Sequence, residues 1–181
     1  MNPLTEIRNA ATGWLDMISG RPGGGERFNR SGLGLANAVG FYVFMVLFTI
    51  VVQGVSTSFP SYDQVFVGLV VNALPLVAVA LVIWATLRVL RLSVPTNALL
   101  VPATYALAFI LVIGMPLSLF FGNVFANAMM GALGYMLYRE ARDIAKLGVG
   151  VSIAFAVLAI AVLVALPIGL YMVTTPAIPA S

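Results

Sequence analysis

The two side chains most often found at nucleophilic and metal centres are missing: the 181-residue chain has no Cys and no His. Acyl or phosphoryl transfer through a covalent intermediate needs an activated nucleophile, and neither residue is present to be one or to activate one. Thiolate and imidazole metal ligands are gone as well. No catalytic residue, metal ligand or cofactor is therefore expected. The polar chemistry that remains in the apolar stretches is amide chemistry. Asn37, Asn72, Asn97 and Asn127 are each followed by Ala and stand near the ends of apolar runs. In lipid an amide needs a partner from the protein, worth about 0.6 kcal/mol on average and up to about 2. Asn37, Asn72 and Asn127 are the candidate interhelical polar contacts. Asn72 and Asn127 are expected at one depth, facing the interior, bonded to each other or to carbonyls freed near Pro75 or Pro116. Asn97 is expected to cap a helix.

A second candidate is Gly20-Arg21-Pro22-Gly23-Gly24-Gly25. It follows no strand and lacks the Gly-Lys-Ser/Thr ending of a phosphate-binding loop, so it reads as a flexible break. No Asp, Glu, Lys or Arg lies in the interior of any apolar run, which argues against proton relays and ion-coupled transport.

These residues must be held by membrane helices. The chain is 61% hydrophobic and 8% charged, against about 45–50% apolar and about 25% charged in soluble domains, so its solvent is lipid. Five stretches approach the roughly 20 residues needed to cross a bilayer. They run over about 34–55, 67–90, 98–119, 122–138 and 148–172. The third and fourth form one tract from Ala98 to Tyr138. As one straight helix it would be about 61 Å long, twice the bilayer core. A tight turn is expected around Phe120–Asn123, where Gly122-Asn123 supplies turn chemistry. The expected fold is all-α: a polytopic bundle of five transmembrane helices preceded by an amphipathic interfacial helix. Pro75, Pro102, Pro116 and Pro167 can kink their helices.

All nine Lys and Arg residues fall in segments 1–33, 88–91 and 139–146. The positive-inside rule reads that side as cytoplasmic, with the C-terminal tail 173–181 outside. The expected location is the inner (plasma) membrane. The first apolar run starts too late for a cleavable signal peptide. In segment 1–33, Asn2 and Pro3 can open a helix and Gly20 can end it. Leu4, Ile7, Ala11, Trp14, Leu15 and Ile18 recur at helical spacing, which predicts a helix on the leaflet surface with Trp14 at headgroup depth. Trp14, Arg27, Arg30, Arg88, Arg91, Arg139, Arg142 and Lys146 are the candidate headgroup anchors, and Arg139 and Asp143 can pair at i, i+4. Small residues at Ala36/Gly40, Gly148/Ser152/Ala156 and Ala161/Ala165/Gly169 permit close helix packing, within the bundle or between copies.

The order of features resembles the Yip1 domain family of five-span membrane proteins. The matching stretch is Gly131-Ala132-Leu133-Gly134-Tyr135-Met136-Leu137-Tyr138-Arg139, then Lys146-Leu147-Gly148, then Ser152 and Ala154. The segment from Trp14-Leu15-Asp16-Met17-Ile18 to Phe28-Asn29-Arg30-Ser31-Gly32 resembles the lead-in of bacterial members. The resemblance implies a non-enzymatic scaffold or accessory subunit of a membrane complex. The alternative is a small permease or lipid-handling protein with an amide-lined cavity in a kinked bundle. Expected partners are anionic headgroups on the cytoplasmic side and a protein partner or second copy; no nucleic acid is expected.

Overall fold

The computed structural model describes residues 2–57 and 61–174, excluding the side chains of 53–57, 115, 118–120, 122–124, 126 and 173–174. The described residues form five α-helices and one 3-10 turn, with no strand among them. The expected tail 173–181 lies, past Thr174, outside the described residues.

Helix α1 spans Pro3–Ile18. The Asn2 side chain accepts from the Leu4 amide, Pro3 opens the first turn, and Gly20, at φ 75°, closes the end. The 3-10 turn Gly24–Arg27 follows. Helix α2 runs over Gly32–Thr57 and α3 over Tyr62–Val89, where Ser61 and Gln64 cap the start reciprocally. Helix α4 covers Thr96–Asp143 and α5 Val149–Thr174. The expected cap at Asn97 is corrected: Pro95, with φ −60° and ψ 138°, occupies the cap position without a side-chain bond, and the helix starts at Thr96.

Every residue of α4 is helical, yet the element is not straight. Its 48 residues would reach about 72 Å as a rod. A β-carbon on Gly114 would lie 3.6 Å from Met129 Cγ, whereas fifteen helical positions span about 22 Å. The helix therefore folds back between these residues, and two limbs run side by side. The reversal lies between Gly114 and Met129 and is made without a non-helical break. Side chains of Gly122 and Asn123 lie outside the described residues.

The first limb is the centre of the bundle. Residues 101–108 are all buried, the pattern of a helix surrounded on every side. Helix α4 touches α1, α2, α3, α5 and the 3-10 turn. Among the described residues, four segments are long and apolar enough to cross a membrane: Gly32–Val52, Tyr62–Val89, Thr96–Gly114 and Val149–Met172.

Candidate polar cap

Where α1 meets the bundle, the structure departs from the surface-helix expectation. The buried residues of α1 are Glu6, Ala10, Gly13, Trp14 and Met17. Trp14 is 2% exposed. Its indole N–H donates to the Pro102 carbonyl at 3.1 Å, and its ring meets Phe28 edge-on at 5.9 Å. Trp14 is thus a core residue and not a headgroup anchor. The physical reason is the small pair Ala10 and Gly13 beside it, which lets α1 come close to its neighbours. A β-carbon on Gly13 would stand 2.9 Å from both the Gly24 carbonyl oxygen and Phe28 Cε2. The expected apolar stripe is split accordingly, for Leu4, Leu15 and Ile18 remain exposed.

The glycine run is not a loose break either. Gly24 and Gly25 are buried, and a β-carbon on Gly24 would meet Met17 Cγ at 2.7 Å. Arg27 pairs with Asp16 at 2.8 Å, and an Arg30 N–H donates to the Gly25 carbonyl at 2.6 Å. From Phe28 an aromatic chain continues through Tyr105 to Phe41 and Phe109, with ring centroids 6.0–6.5 Å apart. Tyr135 closes the other side, its hydroxyl donating to the Ile18 carbonyl at 3.3 Å. Helix α1 therefore contacts both limbs of α4.

Two carboxylates among the described residues are buried, Glu6 in the cap and Glu140 near the end of α4. Glu6 is buried and accepts from the amides of Asn29 and Asn37, each at 2.7 Å. Asn37 thereby joins α2 to α1. Glu140 is fully buried, and neither of its oxygens has a hydrogen-bond partner among the described residues. Desolvation pushes its carboxyl well above the ordinary carboxylate range, because burial penalises the charged form.

Asn72 and Asn127 are not brought together. The Asn72 amide donates to the Gly68 carbonyl of its own helix at 2.8 Å, while its backbone carbonyl accepts from the Tyr42 hydroxyl at 2.6 Å. Asn127 is exposed. An amide four residues beyond a helical carbonyl can satisfy itself locally, which removes the need for a partner across the bundle.

The basic residues are mostly committed to the fold. Arg139 pairs with Asp143 at 3.0 Å, and Arg142 donates to the Leu147 carbonyl at 3.4 Å. Arg91 and Lys146 adopt left-handed backbone angles of 50° and 54° where α3 and α4 end. Arg88 lies 5.6 Å over the ring of Trp84, which is 55% exposed. Trp84, rather than Trp14, is thus the exposed tryptophan at the basic end. Of the small-residue rows, Ser152 and Ala156 are buried, whereas Ala36, Gly40, Ala161, Ala165 and Gly169 are exposed, so internal packing accounts for one row only.

The cap also forms an open cavity of about 530 Å³ between the glycine loop and the α4–α5 connection. Its lining includes Arg21, Arg30, Arg139 and Lys146 with Glu26 and Asp143. No group of His, Cys, Asp and Glu suited to a metal ion occurs among the described residues. Comparison with family models, curated proteins and solved structures gives no match.

Sequence reasoning missed Glu6, Asn29, Glu140 and this cavity. Glu6 carried a usable signal as a polar residue beside the apolar positions of α1; Asn29, between the 3-10 turn and α2, and Glu140, amid charged neighbours, had none.

Proposed function

We propose that the chain is a five-span, non-enzymatic protein of the inner membrane, acting as a Yip1-like scaffold or accessory subunit, with its polar cap in the cytoplasm and its C-terminus outside. The observation that carries this reading is the cap itself. A folded polar unit is fixed to both limbs of a central helix at the end of the bundle holding the basic residues. A rigid cap of this kind presents a constant surface to a protein partner or second copy, and its basic residues suit anionic headgroups.

The fold-back of α4 supports a fifth crossing, because it returns the chain from the far end to the basic end. The permease alternative gains less: the groove beside Pro167 is lined by Phe66, Val70, Leu74, Leu170 and Tyr171 rather than by amides.

The test is purification in mild detergent followed by mass spectrometry, combined with topology reporters. A stoichiometric protein partner that is lost when the cap is altered by Asp16→Arg supports the scaffold reading. Solute uptake by the isolated chain in liposomes, without any partner, would refute it. Periplasmic reporters should be active at Ser58 and Thr175 and inactive at Ser93 and Ala145. A cytoplasmic result at Thr175 would remove the fifth crossing.

A further inference from the structure

We propose that the cap cavity binds a phosphate-bearing anion, a role separate from partner docking. The argument begins with its charge. Arg21, Arg30, Arg139 and Lys146 line a space whose acids are Glu26 and Asp143. Its volume of about 530 Å³ falls within the roughly 300–1,000 Å³ usual for small-molecule sites.

The arginines are held in place without using all their donors. Arg30 gives one terminal nitrogen to the Gly25 carbonyl at 2.6 Å. Arg139 gives one terminal nitrogen to Asp143 at 3.0 Å and has no other hydrogen bond among the described residues. Guanidinium nitrogens not used inside the protein can donate to the oxygens of an anion. Two positioned guanidinium forks match the tetrahedral oxygens of phosphate better than a planar apolar ligand or a cation would.

The loop geometry serves the same end. Gly20 and Gly23 hold φ of 75° and 83°, turning the chain back over the cavity. Lys146, at φ 54°, brings a fourth cation to the wall from the α4–α5 connection. The phosphate could arrive on a lipid headgroup or as a free ion or ester, since the chemistry of recognition is shared.

The experiment uses the full chain in two arms. In delipidated detergent, thermal unfolding is followed against inorganic phosphate at constant ionic strength, with chloride as reference. In parallel, native mass spectrometry after extraction from phosphatidylglycerol vesicles reads retained phospholipid. The variants are Arg139→Gln and Lys146→Asn, the latter because Asn tolerates the left-handed backbone, with Arg91→Gln as a control outside the cavity. Saturable stabilisation by phosphate, weakened about tenfold or more by either cavity variant and unchanged by the control, supports a free phosphate ligand. Retained phospholipid that is lost in the cavity variants, without a response to free phosphate, supports a headgroup. If the wild-type chain shows neither, the proposal is overturned; equal effects of Arg91→Gln also overturn it. Should a variant fail to fold, the wild-type responses in both arms still decide. Capture of a protein partner is measured separately, so failure of the scaffold reading leaves this result unaffected.

Discussion

Replacing Trp14 by alanine removes a buried indole from the junction of α1, the 3-10 turn and the first limb of α4. The site is closed on all sides, with Phe28 at 5.9 Å and the Pro102 carbonyl at 3.1 Å. Truncating a large buried aromatic costs about 3–5 kcal/mol. Phenylalanine should lose mainly the hydrogen bond, about 1 kcal/mol. At roughly 2–4 °C per kcal/mol for a chain of this size, Trp14→Ala should lower Tm by about 6–20 °C, and Trp14→Phe by a few degrees. Trp84→Ala is the comparison, because Trp84 is exposed on the outside of α3 and should change stability by no more than about 0.5 kcal/mol in detergent. Thermal unfolding of the three variants in one detergent gives the order. If Trp14→Ala were no more harmful than Trp84→Ala, α1 would not be docked as described, and the cap with its cavity would fall with it.

Three further outcomes follow from other parts of the molecule. Glu140 holds its proton above the ordinary value of 4.5 in the folded chain, so the native state binds more protons than the unfolded one above that pH. Stability should therefore fall as pH rises from the ordinary carboxylate range through the folded pKa, and Glu140→Gln should flatten the fall; superimposable Tm-against-pH curves would contradict the burial. Cysteines at Gly114 and Met129, in a chain otherwise free of cysteine, should form a disulfide under mild oxidation and lose both maleimide-reactive thiols; persistent labelling would mean that the limbs of α4 are not adjacent. In vesicles with brominated acyl chains, the Trp14→Phe chain, reporting Trp84, should be strongly quenched. The Trp84→Phe chain, reporting Trp14, should be protected, and equal quenching would place Trp14 at the lipid.

Helix layout was legible because lipid imposes it: apolar length fixes where a chain can cross. The reversal of α4 was legible for the same reason, since a straight tract from Ala98 to Tyr138 is too long for the bilayer. Which face of α1 turns inward was not. Leu4, Leu15 and Ile18 outweigh Ala10 and Gly13 in hydrophobicity, but the small residues allow the backbone contact that decides docking. The amides misled for a related reason. Asn72 had a carbonyl of its own helix within reach, so its chemistry was local. The cavity was hidden because its walls come from segments more than 100 positions apart, and the glycine loop showed no motif by itself.

The two ties of α1 have a consequence for how the protein is made. Trp14 reaches a residue 88 positions later, and the Ile18 carbonyl is held by one 117 positions later. During synthesis α1 emerges before α4, yet its second tie exists only after α4 has doubled back. Until then α1 has only its contacts with α2 and the first limb of α4. The cap is therefore completed only once the second limb of α4 is in place. A chain stopped before Tyr135 has no second tie, and one stopped before Lys146 has no finished cavity, so the cap reports whether synthesis has passed the α4–α5 connection.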